Sequence, residues 1–373
     1  MSGAKEVREA KAQLAAARDH RAATREEFDG IAYCRFADDW HGIARGTVVV
    51  AGSVVPTYPH IGRILALRQG LASNFSAPVV AEEKLDGYNV RLVRVGRRLL
   101  AFTRGGYVCP FTADRIEDLG NFHPLFDARP DLVVCGEVVG PNNPYIDTAV
   151  PQVQNDVQFF VFDLMRLDTP GFVPLPDRDA LLDTAPIRRA PSFGQVAPNE
   201  HAKIRRLVTD LDARGAEGII FKPIGAGVRL KYVTPARNFE DIALDAGLLD
   251  ELPGEFFTGR IERLVFSLAE LTPRQSMDAW AGRLGHALLS GFRETLERVA
   301  QGGTVRKRFC VHMHSHAAAD QLLRHLARAS SKIQIIERTR EENAGWVTLT
   351  FDKTFQESTS RLSSYLGGQY VID

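Results

Sequence analysis

The sequence predicts an α+β chain with largely antiparallel sheets. Apolar, β-branched runs such as Leu132–Val139, Val157–Leu164 and Gly218–Lys222 recur at irregular intervals and do not alternate regularly with helices. Val90–Val95, Gly96-Arg97 and Leu99–Thr103 read as strand, turn and strand, a hairpin. No glycine-rich phosphate loop of the Walker or Rossmann kind follows a strand, so a doubly wound sheet is not expected.

In order along the chain, residues 5–28 are rich in strong helix formers and predict a helix ending near Asp29-Gly30. Thr47–Val50 is a β-branched strand, and Pro59–Leu71 is expected to be helical. Pro78-Val79-Val80-Ala81 is a strand that runs into Lys84. Pro170–Arg189 reads as a surface segment with a short helix, Asn199–Arg214 as a helix, and Val228–Val233 as a strand after a glycine-rich turn. Beyond Pro235 the pattern becomes helical over residues 240–300, with breaks at Pro253-Gly254 and Thr272-Pro273. After Gly302-Gly303 the chain reads strand, helix (Ala317–Ala329), strand (Lys332–Arg338), strand (Trp346–Phe351), helix (Phe355–Leu366). That βαββα module is too small to hold much core unless it docks on something. The expected units are an N-terminal module (1–75), a central domain (76–238), a helical domain (239–303) and the C-terminal module (304–373).

Basic and acidic residues balance at 46 each, so no global field draws polyanions, and a nucleic-acid surface has to be a local patch. The four cysteines, Cys34, Cys109, Cys135 and Cys310, form no C-x-x-C pair, which argues against a zinc ribbon and a disulfide framework. The first 28 residues lack a signal peptide's apolar region, and no run is long enough to span a bilayer. A cytoplasmic protein with no membrane partner is the expectation.

The chemistry centres on Glu82-Glu83-Lys84-Leu85-Asp86-Gly87-Tyr88. A lysine followed by x-Asp-Gly at a strand end is known as a nucleophile toward the α-phosphorus of a nucleotide. By chance K-x-D-G turns up in about one chain of this length in ten. Here five segments follow in order: Thr103-Arg104-Gly105-Gly106, Gly136-Glu137, Phe159–Leu164, Glu217–Lys222 and Leu230-Lys231-Tyr232. Together they resemble the covalent nucleotidyltransferases, and most closely the archaeal-type homodimeric ATP-dependent RNA ligases. The similarity extends to Arg45–Val48, to Pro59-His60-Ile61 and to the end of the chain at Val371-Ile372-Asp373. It implies an ATP-grasp-like ligase core of antiparallel sheets, ATP as co-substrate, Mg²⁺ or Mn²⁺, and RNA 5′-phosphate and 3′-hydroxyl ends as partners, with single-stranded DNA ends left open.

A lysine nucleophile has to be neutral, yet about one in a thousand is neutral at pH 7. Lys222, Lys231 and a bound cation are expected to lower the Lys84 pKa while neutralising phosphate. A lowering of about 3 pK units corresponds to about 4 kcal/mol. Glu137 and Glu217 lie in or beside apolar strands, where an unpaired carboxylate is costly. The resemblance assigns Glu137 to ribose or metal and Glu217 to metal; the alternative for each is a water-facing edge carboxylate. Alternation puts Phe160 and Phe162 on one strand face. The resemblance makes Phe162 the platform for adenine, against the alternative of a plain core strand. Glu83 and Asn89 are placed to read the base edge and hold ribose or phosphate. Arg104 is implied at the ribose or the RNA 5′-phosphate, Arg91 shares the face of Asn89, and Arg45, His60 and Arg63 are upstream candidates for phosphate contacts.

His312, His314 and His316 would share one face of a strand, and a solvent-facing or interface strand is preferred to a zinc site. Trp280 and Trp346 are expected in core or interface positions. A DNA ligase or capping-type enzyme is the first alternative, although the helical and βαββα region after Lys231 does not read as the OB-fold such enzymes usually carry. A non-catalytic nucleotide- or RNA-binding protein is the distant one, opposed by the presence of all five charged motif residues, Lys84, Glu137, Glu217, Lys222 and Lys231. The C-terminal module is expected to form a homodimer.

Overall fold

The computed structural model describes residues 2–147, 150–225, 227–249, 251–271, 277–329 and 332–370. The expected break at Thr272-Pro273 and the terminal Val371-Ile372-Asp373 lie outside them. Helix α1 (Ser2–Asp19) covers a four-stranded sheet of β1 (Ala23–Phe28), β2 (Ile31–Phe36), β3 (Val48–Val50) and β4 (Ser53–Val55), in that order. Ala10, Leu14 and Ala17 of the helix pack on Ala22, Phe36, Ile43 and Val54. The helix therefore does not reach residue 28. Arg21 takes a left-handed φ of 61°, and Ala23–Phe28 pairs with β2. The turn is Asp29-Gly30, with φ 47° and 79°, the two consecutive positive values that a tight hairpin requires. Cross-strand pairing overrides local helix propensity here.

The Pro59–Leu71 helix is also shorter than expected. Only α2 (Leu67–Asn74) is helical, because β5 (Gly62–Arg63) is drawn into a sheet. Its backbone is tied by Gly62 N to Arg229 O at 3.1 Å and Ile64 N to Lys231 O at 3.0 Å.

Next come β6 (Val79–Lys84), β7 (Tyr88–Val95), β8 (Arg98–Thr103), α3 (Pro110–Leu119), α4 (His123–Ala128), β9 (Leu132–Val139), β10 (Gln158–Arg166), β11 (Thr169–Phe172), α5 (Leu175–Leu182), β12 (Ser192–Val196), α6 (His201–Ala213), β13 (Gly218–Pro223) and β14 (Leu230–Val233). They build two five-stranded sheets, ordered β11-β10-β9-β7-β8 and β12-β6-β13-β14-β5. All pairings in these sheets are antiparallel except β14 with β5. The fold is thus the antiparallel α+β architecture that the sequence predicts.

Helices α7 (Pro235–Asp245), α8 (Gly254–Leu271) and α9 (Met277–Ala300) follow, with a short 3₁₀ turn at Ala246–Leu248. Trp280 meets Phe239 edge-on at 5.6 Å inside this helical cluster. The C-terminal strands β15 (Arg306–Met313), β16 (Ile333–Asn343) and β17 (Trp346–Phe355) form a sheet of order β15-β17-β16, flanked by α10 (His316–Ala329) and α11 (Gln356–Leu366). None of the described helices is long and apolar enough to cross a membrane.

The C-terminal module finds its core by docking. Phe309, Val311, Met313, Leu349 and Phe351 join Phe111, Ile116, Phe122 and Phe159 in one buried cluster. Arg115 of α3 strengthens the seam, donating to His312 O at 3.0 Å and lying 4.4 Å from the Trp346 ring centre. Phe351→Ala is therefore expected to cost about 3–5 kcal/mol and to lower one shared unfolding transition. Denaturant unfolding followed by fluorescence and circular dichroism checks this. Two separate transitions would show that the module is stable without its neighbour.

Candidate active site

Lys84 is the last residue of β6, and Leu85-Asp86-Gly87 carries the chain from one five-stranded sheet to the other. This crossing explains the glycine of K-x-D-G. A Cβ on Gly87 would run into the carbonyl oxygen of Val138 and lie 2.9 Å from Glu137 Cγ. The backbone passes that close because β7 pairs Asn89 directly with Glu137 of β9. Lys84, Asn89 and Glu137 are thereby brought to one cleft, and Lys84 forms an ion pair with Glu217, the residue that precedes β13.

β10 supplies the cleft's back wall through a bulge. Its register with β9 shifts between Val161 and Asp163. Simple alternation would send Asp163 to the face of Phe159 and Val161. The extra residue at Phe162 turns both Phe162 and Asp163 toward the second sheet and returns Leu164 to the core. Tyr58 steadies Phe162 edge-on at 5.3 Å. Asp163, fully buried, accepts from Tyr58 Oη at 2.8 Å and from Lys222 Nζ at 3.3 Å, and pairs with Arg229.

Lys222 also donates to Glu82 Oε2 at 2.5 Å and to Phe162 O at 2.7 Å, and Arg178 binds Glu82 from the other side at 2.7 Å. Burial would raise Glu82, but Lys222 and Arg178 outweigh it and hold the carboxyl below its ordinary range. Lys222 is thus fully buried and committed to two carboxylates.

The floor of the cleft concentrates negative charge. Burial, then repulsion from Glu217 and Asp86, pushes Glu137 up to about 8 despite the attraction of Lys84. Burial and Glu217 push Asp86 up to about 7, although Arg237 and Lys84 oppose this. Arg237 NH1 lies 2.7 Å from Asp86 Oδ2. For Lys84, burial acts downward, but Glu217, Glu137 and Asp86 prevail and hold the amine above its ordinary value. Lys222, one of the cations expected to depress Lys84, is spoken for by Glu82 and Asp163, and carboxylates are the nearest partners of the amine.

The depressed amine is Lys231, brought down to about 8 by burial and then by Arg63, Lys84 and Arg104. Glu217 Oε2 and Asn89 Oδ1 are buried without a hydrogen-bond partner, the state expected of groups that await a ligand.

Glu83, Lys84, Asn89, Arg104, Glu137, Phe162, Lys222 and Lys231 all line one cavity of about 130 Å³, with Tyr58, Ile61, Leu85, Ala190 and Ile220. Glu217 joins it through Lys84. Glu83 is buried and accepts a hydrogen bond from Gln152. Arg104 sits 3.0 Å from His60 Nδ1. Arg91 does not reach the cleft. It is fully buried and donates to the carbonyls of Pro56, Gly46 and Thr103 at 2.5, 2.8 and 2.9 Å, holding the N-terminal module against the hairpin.

The three histidines diverge. His312 meets Thr348 at 3.1 Å, His314 stacks on Trp346 at 4.3 Å, and His316 opens α10 and faces Glu342 at 3.1 Å. Arg237, Arg178, Arg229, Tyr58 and Gln152 were missed by sequence reasoning. Arg237 follows Leu230-Lys231-Tyr232 closely in the chain, and no local pattern marks the other four as partners of the cleft.

Residues 77–233 match the model of the RNA ligase family, and residues 246–369 match that of the Pab1020 ligase C-terminal region. A candidate ATP-dependent DNA ligase of Aquifex aeolicus is 35% identical, with 97% of this chain and 100% of that one aligned at a TM-score of 0.93. The chain belongs to the RNA ligase family. An archaeal ATP-dependent RNA ligase aligns with this chain over 96% of each chain at 27% identity and a TM-score of 0.88. An uncharacterised protein of Methanocaldococcus jannaschii is 28% identical over 356 residues, 92% of this chain and 89% of that one.

The crowded carboxylates carry a stability cost with a definite sign. Glu137 binds its proton more tightly in the folded chain, up to about 8, than in the unfolded one, near 4.5. Its contribution to stability is present below the unfolded value and is lost as pH rises through the folded value. Glu137→Gln should therefore stabilise the protein by about 1–3 kcal/mol at pH 8.5 and leave it unchanged near pH 4. Urea unfolding at the two pH values measures this; equal stability at pH 8.5 would contradict the assignment.

Proposed function

We propose that this RNA ligase joins an RNA 5′-phosphate to a 3′-hydroxyl through a lysine-AMP and an RNA-adenylate. The observation that carries the reading is Lys84 in one cavity with Glu137, Lys231 and Arg104, and ion-paired to Glu217. Carboxylates beside the amine suit a metal or ribose, and cations suit phosphate. In the first step Lys84 Nζ attacks the α-phosphorus of ATP. An N–P bond forms, the bond to the bridging oxygen breaks, and pyrophosphate leaves with that electron pair while the amine gives up a proton. An oxygen of the RNA 5′-phosphate then attacks the phosphorus of lysine-AMP, the N–P bond breaks and the Lys84 amine leaves and takes up a proton, giving A(5′)pp(5′)RNA. Finally the 3′-hydroxyl attacks the activated phosphate and releases AMP.

Phosphoryl-group transfer depends mainly on positioning and charge neutralisation. Phe162, fixed by Tyr58 and by the bulge, is proposed to stack on adenine, with Glu83 and Asn89 at the base edge and ribose. Lys231 and Arg104 are proposed at phosphate, and Lys222 acts from behind Phe162 as the anchor of the buried ion network. Glu217 and Glu137 are proposed to hold Mg²⁺ or Mn²⁺. Among the described residues no group of three or more His, Cys, Asp or Glu forms a metal cage. That donor set suits a hard cation that keeps waters and phosphate oxygens and uses one or two protein carboxylates. Such an ion supplies charge neutralisation on the phosphates. Because Glu217 and Glu137 hold the proton on Lys84, engaging either carboxylate elsewhere frees the amine toward neutrality.

The four units 1–75, 76–238, 239–303 and 304–373 remain the proposed domains, and a cytoplasmic location is part of the proposal. A homodimer through the C-terminal sheet is proposed as well. The face of that sheet turned from the core carries Ile336, Thr348 and Thr350, all half-buried. Light scattering should give twice the chain mass, and Ile336→Asp should shift it to the monomer; a monomeric wild type would refute the dimer.

The covalent step is tested with α-labelled ATP and a divalent cation. An acid-stable label is expected on the wild type and lost by at least about a hundredfold in Lys84→Ala; equal labelling would remove Lys84 from the reaction. Comparing 5′-phosphorylated single-stranded RNA with matched single-stranded and nicked DNA decides the acceptor, a comparison the name of the Aquifex relative makes pertinent.

A further inference from the structure

Helix α8 runs back along the edge of the sheet that carries Lys231. Ser267 Oγ and Tyr232 Oη share a hydrogen bond of 2.8 Å, and the Glu270 carboxylate accepts from the backbone N–H groups of Leu67 and Arg68 at 2.6 and 2.7 Å. Residues 260, 263, 267 and 270 fall three or four apart, so Arg260 and Arg263 share the face that Ser267 and Glu270 turn to the sheet. At that edge Arg63 of β5 stands directly across from Lys231 of β14. Like charges opposite each other on paired strands repel; Glu217 offsets part of this at both residues, yet burial still leaves both below their ordinary values.

The helix arginines are held by fixed partners. Arg263 Nε donates to the buried Asn238 Oδ1 at 2.6 Å, and Arg260 bonds Asp241 at 2.8 and 2.7 Å while stacking 3.4 Å from the Phe256 ring centre. Asp241 is shared with Arg237, and its charge also acts on Arg63 and Arg263 without outweighing burial at either. Arg263 is pushed down to about 10, by burial first and then by Arg63 and Arg260. Like charge is thus gathered at the cleft's outer end.

Geometry names the anion. The sheet order β6-β13-β14-β5 places β5 three strands from the strand of Lys84, roughly 14 Å at about 4.8 Å per strand. Attack by Lys84 in line with the departing oxygen requires the leaving group on the far side of the α-phosphorus. It therefore points away from Lys84, across β13 and β14.

We propose that Arg63 and Arg263, steadied by Arg260, form the subsite that holds the β- and γ-phosphates of ATP and receives pyrophosphate as it leaves. This deepens the lysine-AMP reading and rests on it. As the N–P bond forms and the bond to the bridging oxygen breaks, the electron pair goes to pyrophosphate, whose growing charge the two guanidiniums balance; the amine proton goes to solvent. The later steps involve no β- or γ-phosphate, so the subsite is silent in them.

The test uses the full chain with Arg63→Gln, Arg263→Gln and Arg263→Lys. Three rates are measured: lysine-AMP formation across ATP concentrations, discharge of preformed lysine-AMP by inorganic pyrophosphate, and sealing of chemically pre-adenylated RNA without ATP. The Gln variants should lose at least about tenfold in kcat/KM for adenylylation and need correspondingly more pyrophosphate. They should seal pre-adenylated RNA within about twofold of wild type, which also shows that they fold, and Arg263→Lys should recover part of the loss. Unchanged adenylylation overturns the proposal. So does parallel loss of sealing, which would put the arginines on RNA or in the fold. A wild type that takes no label from ATP would instead overturn the lysine-AMP reading.

Discussion

The two central sheets are held in one geometry by a buried ion network. Glu82 and Lys222 come from one sheet, Asp163 from the other, and Arg178, Arg229 and Tyr58 close around them. Such a network adds little stability over apolar residues of the same volume, because desolvating the charges offsets their attraction. Its directional bonds do fix how the sheets meet. Deleting one member would leave its partners charged, buried and unmatched, at about 3–5 kcal/mol. The bulge at Phe162 and the crossing at Gly87 both lie on this hinge between sheets, and the cleft is the space they leave.

On that frame the site is electrically divided. Carboxylates surround Lys84, and cations gather from Lys231 outward to α8. The inner half keeps Lys84 protonated and raises two carboxyls toward neutrality. The outer half lowers Lys231 and Arg263. Under the proposed function, a metal nucleotide, positive toward the carboxylates and negative toward the arginines, would relieve the repulsion within each half. A binding site for a charged ligand commonly stores strain of this kind in its unliganded form.

Much of the site was legible in the chain. The motif residues from Glu83 to Lys231 line one cavity because each sits at a strand end or on a cleft-facing strand position, and strand periodicity is a local property. Where local propensity and long-range pairing disagreed, pairing prevailed. Residues 23–28 became a strand through their partner β2, and Gly62-Arg63 left a predicted helix for β14. Arg91 shared a face with Asn89, yet its neighbours in space are three carbonyls of distant segments.

The sequence by itself determined the α+β class, the K-x-D-G motif of Lys84, the charged residues of the cleft and the βαββα module, since these rest on periodicity, spacing and residue type. Only the tertiary structure decided the electrostatics. That Lys84 is held up by carboxylates, that Lys222 is sequestered by Glu82 and Asp163, and that Arg63 stands across from Lys231 depend on distances between residues far apart in the chain. Coulomb interaction and desolvation act through those distances, and no local pattern encodes them.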